Sequence, residues 1–505
     1  MKILYVMRNQ AYMRNYESTL TALAQRGHQV KIRFNDYKDN DQLAERLAAI
    51  EPNLSYSYEL LPDRQDVWQG FVKLIRAIRD YSSYLYPEYQ QAHLLRKRVE
   101  RHLKPIKWLV LPLLHAVASL PNQVGLKLLE TSIDGLEWLV PPDPKICQVL
   151  AKENPDLMLI TPLVDFDSVQ RDYVKAARAL NLKCGLCVHS WDNLTNKATI
   201  HIHPDRVWLW NEVQKLEAIK FHHLNPKEIV VTGAQCYDKW FDRKPSTDWD
   251  EFAHQTGLKS DQPYLLYLCS SNFIAPQEVG FVEEVLQAMR NAPDPQMSDL
   301  GLLVRPHPQN DQQWQEIDLS KWGNAVVWPA KGQNPVTEEA KANFYDSLFH
   351  STAVIGVNTS AMIEAGILSK PVYSILDPRF QGTQEGTLHF HHLVQGGLLQ
   401  LSHSIEEYIQ QLSRLLKEGG SQQQEQIQQF IHQFVRPHGL DKPCTPILVE
   451  SIEAMKELDL PPRKAVPVWA IALRWIILPI VAVIELLRYS FWIITGAFNR
   501  FILKH

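Results

Sequence analysis

Residues 188–198 read VHSWDNLTNKA and place His189, Trp191, Asp192, Asn193 and Lys197 in one short segment. A carboxylate and an imidazole side by side are candidate proton acceptors, and a nearby ammonium is a candidate partner for an anion. The apolar run before them, LKCGLCVH, reads as a strand, so the group sits at a strand's carboxyl end. In open parallel sheets that edge is where ligands bind.

A second set of polar residues follows strand-like runs further along the chain. Ser270 and Ser271 come after YLLYLC, Arg305 and His307 lie in VRPHP, and Asn358, Thr359 and Ser360 open GVNTSAMIEAG. A hydroxyl residue at the start of a helix near 360 either caps it or, beside free N–H groups and the positive dipole end, receives a phosphate. Glu364, one turn on, can accept hydrogen bonds from ribose hydroxyls or is an acid favoured near a helix start. Pro306 and Pro308 stiffen the backbone around Arg305 and His307, which limits the ordering needed to meet a diphosphate. Residues 382–393, GTQEGTLHFHHL, gather Gln384, Glu385, His389, His391 and His392 after what reads as the last strand of a second sheet. Gln384 or His389 can contact phosphate there, and loop packing is the alternative.

Three other features suggest chemistry more weakly. DFD at 165–167 has the form of a metal-binding pair of acids, but it runs directly into SVQRDYVKAARAL and reads as a helix start, so no metal is expected. Cys184 and Cys187 form an isolated CxxC without a second ligand pair and read as small residues of a buried strand. Arg8 and Arg14 in the first loop either meet an anion or are simply solvated.

These residues need a scaffold of alternating strands and helices, which the sequence supplies twice. KILYVM, a helix through YESTLTALAQR ended by Gly27, and GHQVKIRF begin a parallel sheet. The opening MKILYVMRN reads as a core strand rather than a signal peptide. Alternation resumes with a strand at 157–160, a helix over SVQRDYVKAARAL and strands in LKCGLCVH, DRVWLWN and EIVVTGA. The first loop lacks the glycine fingerprint of dinucleotide binding, so NAD and FAD are not expected. The second series runs YLLYLCS, a helix near 277–290, LGLLVRPHP, NAVVWPA, STAVIGVN, SAMIEAGILS and KPVYSIL. Glutamine-rich GGSQQQEQIQQFIHQF reads as an exposed helix.

The expected organisation is an α/β chain of two Rossmann-like domains facing a cleft. They are residues 1–235, with a helical insertion at about 60–140, and residues 263–460, joined by a polar linker at 236–262. In the insertion Arg96, Lys97, Arg98, Arg101, Lys104 and Lys107 run into an apolar stretch, which suits anionic lipid head groups or a solvated helix entering a buried one. Residues 461–505 are read as membrane-associated helices. The span 466–484 is long enough to cross a bilayer, yet Arg474 near its middle carries an insertion penalty of about 2.5–3.5 kcal/mol, which favours shallow insertion as a rival.

With 505 residues, 45% hydrophobic and 21% charged, the chain has ordinary globular chemistry, and a net charge of -4 offers no case for nucleic-acid binding. Six scattered cysteines suit reduced thiols in a cytoplasmic setting.

The two alternating halves, RGHQV, VVTGAQCYD, RPHP and NTSAMIEAGILSKPV together resemble a GT-B glycosyltransferase. More narrowly, the chain resembles the capsule-polysaccharide and CDP-glycerol glycerophosphotransferase relatives, which carry a Trp-His-Gly-x-x-x-Lys loop. WDNLTNK matches that loop at Trp191 and Lys197 and departs from it at Asp192, where the relatives have a histidine thought to act as base, and at Asn193. The resemblance implies an acceptor site in the first domain and a nucleotide site in the second. It makes Asp192 or His189 the base, or leaves the loop only bracing the sheet. Trp191 would stack on a sugar, Asn193 would orient the acceptor and Lys197 would neutralise phosphate. Ser271, Arg305, His307, Thr359, Ser360 and Glu364 would hold the donor.

The implied activity is metal-independent transfer of a sugar or glycerol-phosphate-like group from a nucleotide-activated donor to a glycan or lipid-linked acceptor. Its implied place is the cytoplasmic face of the membrane, with membrane lipid as a partner and no cofactor. The alternatives are a nucleotide-sugar 2-epimerase and an inactive nucleotide-binding membrane scaffold.

Overall fold

A computed structural model describes residues 1–37, 43–104, 106–460 and 466–502. The chain forms two compact units: Met1–Gln90, Leu95–Thr232 and Thr445 onward make the first, and Gln91–Leu94 with Gly233–Cys444 the second.

The first unit is built on seven parallel strands: β1 (Lys2–Met7), β2 (Gln29–Phe34), β3 (Leu54–Ser57), β4 (Leu157–Thr161), β5 (Lys183–Cys187), β6 (Arg206–Leu209) and β7 (Ile229–Val231). Their order is β3-β2-β1-β4-β5-β6-β7. The central strands are apolar except at their ends because both faces are covered. Leu4 and Val6 enter the core on one face, Ile3, Tyr5 and Met7 the core on the other. The same two-residue period sends Cys184 to one face and Cys187 to the opposite one, so the CxxC thiols cannot share a ligand. Gly185 lies between them under an indole; a Cβ there would come within 2.2 Å of the Trp208 ring.

The helical insertion is tied to this sheet by buried charge. Helices Gln69–Ser83 and Val124–Leu139 face helix Gln170–Ala179 of the sheet's own covering layer. Arg76 pairs with Glu137 at 2.9 Å and Asp172 at 2.9 Å, while Arg171 pairs with Asp80 at 3.0 Å. The flanking guanidinium and ammonium groups hold the Glu137 carboxyl well below the usual carboxylate range.

The second unit repeats the plan with β8 (Tyr264–Leu268), β9 (Gly301–Arg305), β10 (Ala325–Val327), β11 (Ala353–Gly356), β12 (Val372–Ile375) and β13 (Leu399–Ser402), ordered β10-β9-β8-β11-β12-β13.

Several expectations need correction. Residues 236–262 are structured parts of the second unit: helix Trp249–Thr256 follows a loop in which Ser246 and Thr247 hydroxyls donate to Asp346 at 2.6 and 2.8 Å, and Trp249 stacks on Tyr264. Residues 445–460 belong to the first unit, where Leu448, Val449, Ile452 and Met455 complete the core around Leu20 and Leu23. The Trp208 indole donates to Ser451 at 2.8 Å. Polar composition alone does not distinguish a linker from a helix whose apolar residues face one side. The glutamine-rich helix Ser421–Phe434 is only half exposed, since Ile427, Phe430, Ile431 and Phe434 are buried. The segment 382–393 follows β12 but is not at the sheet's end, because the short β13 comes after it. The apolar tail is one helix, Val468–Ile502, not several, and residues 461–465 and 503–505 of the expected membrane segment lie outside the described residues.

Candidate functional site

In both sheets the strand order reverses between the first strand and the fourth, so the loops leaving those strands splay apart and open a crevice at the carboxyl edge. In the first unit this point lies between β1 and β4. The loop after β1 carries Arg8, Tyr12, Arg14 and Asn15, the loop after β4 carries Asp165, and the loop after β5 carries His189–Lys197.

Asp165 is the hub. Its buried carboxylate accepts from Arg8 Nη1 at 2.5 Å, Tyr12 Oη at 2.9 Å and Lys197 Nζ at 2.8 Å. The two cations overcome the effect of burial and hold its carboxyl well below the usual range. The first acid of DFD thus spends its lone pairs on protein donors, and Asp167 faces His102 at 2.7 Å. Sequence reasoning named Arg8, Asp165 and Lys197 separately and missed their union, because three loops far apart in sequence supply it. Lys197, expected to meet phosphate, is already paired.

His189 lies against this hub, with the Tyr12 ring centroid 4.4 Å from its own. The Asn15 amide donates to the His189 carbonyl at 3.1 Å. Burial, reinforced by the Arg14 and Lys197 charges, pulls the imidazole down to about 3, so it is neutral at physiological pH. Asp192 starts the short helix Asn193–Asn196 and accepts from the side-chain amides of Asn196 and Asn193. The surroundings hold the loop firmly. Tyr84 donates to the Lys197 carbonyl, Arg98 to that of Asn196, His222 lies 2.9 Å from that of Leu194, and Gln214 donates to that of Ser190.

Three buried polar atoms in this loop have no hydrogen-bond partner among the described residues: His189 Nδ1, Asn193 Oδ1 and Asn196 Oδ1. Leaving such an atom unmatched costs about 1–3 kcal/mol, so these three atoms lower the loop's own stability. Trp191 departs from expectation: at 3% exposure its ring is part of the packing and not an open platform for a sugar. Arg14 is exposed.

The second unit's switch point lies between β8 and β11. Ser270 is locked: its N–H donates to both carboxylate oxygens of Glu278 at 3.0 and 2.9 Å, and burial pushes that carboxyl up to about 8. Ser271 is half-buried, and its carbonyl closes a turn by accepting from Ile274 and Ala275. His307 accepts the Gln309 N–H on Nδ1 at 3.1 Å, which leaves the proton of the neutral ring on Nε2. After β11, Thr359 and Glu364 are half-buried and Ser360 is exposed. The Ser360 hydroxyl does not cap helix Ala361–Ile367, so capping does not account for it.

Four donor-site expectations change. Arg305 is 6% exposed, sandwiched between Trp328 and Phe344 and bonded to Ser347 Oγ at 2.9 Å. No carboxylate among the described residues neutralises it, and burial lowers it to about 10. So enclosed, it is not placed for bidentate contact with a diphosphate. Asn358 donates to the Thr383 carbonyl at 2.7 Å, and Gln384, fully buried, donates to Val357, Ser374 and Ile375. Both fasten loops together. His389 is buried in helix Leu388–Gln395.

A concavity of about 860 Å³ lies elsewhere, at the amino ends of the first sheet's strands, bounded by Met1, His28, Asn154 and Lys183. The loops just described are not part of it, and it lacks their strand-end chemistry.

Among solved structures, the UDP-GlcNAc 2-epimerase of Neisseria meningitidis bound to UDP-GlcNAc aligns with a TM-score of 0.50 and 12% identity, over 90% of this chain and 100% of that one. A glycosyltransferase from Rickettsia africae aligns with a TM-score of 0.50 and 11% identity, over 90% of this chain and 98% of that one. The chain has the GT-B fold. No protein-family profile matches the sequence, and no curated protein does. The GT-B plan accounts for the two like sheets. Fold likeness at this identity does not choose between transfer and epimerisation.

Proposed function

We propose that this GT-B protein transfers a sugar, or a glycerol-phosphate-like group, from a nucleotide-activated donor to a glycan or lipid-linked acceptor at the cytoplasmic face of a membrane. The observation that carries the reading is the loop His189–Lys197. It is rigidly braced, sits at the sheet's carboxyl edge one strand from the switch point, and carries the half-buried carboxylate of Asp192 beside unmatched polar atoms. The Neisseria neighbour's bound UDP-GlcNAc supports a nucleotide sugar as donor.

In the proposed reaction Asp192 takes the proton of the acceptor hydroxyl while that oxygen bonds to the anomeric carbon. The carbon's bond to the nucleoside diphosphate breaks, and the electron pair leaves with the diphosphate. His307 Nε2–H, the Ser271, Thr359 and Ser360 hydroxyls and the buried Arg305 charge stabilise that leaving group, and Glu364 receives ribose hydroxyls. Direct displacement inverts the sugar. His189, held neutral with its imidazole pulled down to about 3, serves as a hydrogen-bonding group. No step requires a metal.

A thermal-shift panel of UDP, CDP, GDP and CMP conjugates identifies the donor, since a ligand of the native state raises apparent stability with concentration. With that donor, Asp192→Asn is expected to lower kcat by about 10²- to 10⁴-fold with donor binding intact. Glu364→Gln is expected to weaken donor binding. The epimerase neighbour favours a second reading. Conversion of a UDP-sugar to its 2-epimer without acceptor would establish that reading and overturn transfer.

A further inference from the structure

Helix Val468–Ile502 includes a stretch, Val468–Arg488, apolar and long enough to cross a membrane, but its packing points to a different use. Ala470, Arg474, Ile477, Val481, Ile484 and Arg488 recur every three or four residues and form a single stripe turned toward the first unit. That stripe lies lengthwise on helices Gln69–Ser83 and Val124–Leu139, sharing a core with Phe71, Ile75 and Ile133. Each charge on it is spent on the protein. Arg474 Nε donates to the Leu139 carbonyl at 2.6 Å, Glu485 accepts the Gly70 N–H at 2.7 Å, and Arg488 bonds Glu485 and the Gln69 amide. Over Val468–Arg488 the opposite side, with Trp469, Trp475, Ile476, Ile480, Val483 and Leu487, is exposed and carries no charge.

This face is continued by residues more than three hundred positions earlier in the chain. Trp138 meets Trp469 with ring centroids 5.6 Å apart. From Trp138, a stripe at helical spacing runs back through Gly135, Thr131, Leu128 and Val124, and the Thr131 hydroxyl is satisfied by the Lys127 carbonyl. A sharp bend of 105° then leads into helix Lys107–Ala118, where Trp108 is 75% exposed beside Leu109 and Leu113. Exposed Lys97, Arg101, Lys104 and Lys107 lead directly into Trp108.

We infer that these two segments form one platform that beds sideways into the surface of an anionic bilayer, with the helix from Val468 in the membrane plane and not across it. Crossing would either strip the Val468 helix from its packing or drag the buried Arg76–Glu137–Asp172 cluster into hydrocarbon. The indoles suit the interfacial depth, and the basic approach to Trp108 complements acidic head groups. This deepens the membrane placement proposed above and is independent of the transfer reaction.

The test is flotation of the full-length protein with vesicles of phosphatidylcholine, with and without phosphatidylglycerol. Binding is expected to be at least about tenfold stronger to the anionic vesicles and to fall with salt. Trp475→Glu with Ile480→Glu, and separately Trp108→Glu with Leu113→Glu, should each weaken binding by at least about tenfold while circular dichroism and donor binding stay unchanged. Replacing Lys97, Arg101, Lys104 and Lys107 by Gln should remove the lipid preference. Lipids brominated near the head group should quench Trp475 fluorescence, read as the difference from Trp475→Phe, more than lipids brominated near the chain ends. Full binding by the Trp108/Leu113 variant, stronger quenching from the chain ends, or a lipid-indifferent soluble dimer burying this face would each overturn the inference. Failure of transferase activity alone would leave it standing.

Discussion

Asp165 shows how a residue that reads as a metal ligand in sequence becomes a structural anchor in space. Arg8, Tyr12 and Lys197 converge on it from two other loops, and through Lys197 it fixes the far end of the loop that holds Asp192. Asp165→Asn keeps the shape but removes the charge that holds two cations. It is expected to destabilise the first unit by about 2 kcal/mol in urea melts and to lower kcat more than it raises KM. The carboxyl is depressed in the folded protein, so its contribution is fully present above the unfolded value near pH 4 and is lost as pH falls below that. A variant with unaltered kcat at pH 7 would show that the hub does not position the loop. Glu278 anchors a loop in the second unit too, though burial raises its carboxyl where Asp165's is depressed: with no motif around it, it fixes the backbone of Ser270 and so the hydroxyl loop that follows.

At the scale of elements, the helical insertion is held by ion pairs as well as by apolar contact. Arg76 reaches both Glu137 and Asp172, and Lys175 reaches Glu137 at 2.7 Å. Removing one partner of a buried pair strands the other, so Arg76→Met alone is expected to cost about 3–5 kcal/mol. Arg76→Met combined with Glu137→Met should cost less than the two single changes added together, measured by equilibrium denaturation. None of these charges was singled out in the sequence. Nothing in their spacing told which helix would face which. The switch-point loops, by contrast, were legible early. The apolar runs and turn residues placed His189–Lys197, Ser271, His307 and Thr359–Ser360 at strand ends, and they lie there.

The molecule as a whole carries a pH signature. His222 and the His201 side chain are buried and His189 is half-buried, and desolvation holds the three near 4, 4 and 3 against 6.5 for a free imidazole. A base depressed by folding is charged more readily in the unfolded chain. Below about pH 6.5 the unfolded state therefore takes up protons that the native state refuses, and stability falls until the pH approaches the folded values. Each histidine contributes up to about 1.4 kcal/mol per pH unit across that window. Thermal melts from pH 7.5 to 5 should show a falling midpoint, and His222→Gln should flatten part of the fall. A midpoint constant over that range would mean that these imidazoles are not neutral in the fold.

The sequence by itself determined eleven of the thirteen described strands, missing the short edge strands β3 and β13, together with the two-domain α/β plan, the apolar carboxyl-terminal segment and the loops at strand ends. Those follow from hydrophobic period and turn chemistry, which act over a few residues. Tertiary structure alone decided that Trp191 is packed inside, that Gln384 and Asn358 fasten loops, that Lys197 belongs to Asp165, and that residues 445–460 rejoin the first unit. It also decided that Arg474 turns to the Leu139 carbonyl and leaves an unbroken apolar face. Each of these depends on which distant segment arrives beside a side chain, and local spacing carries no record of that.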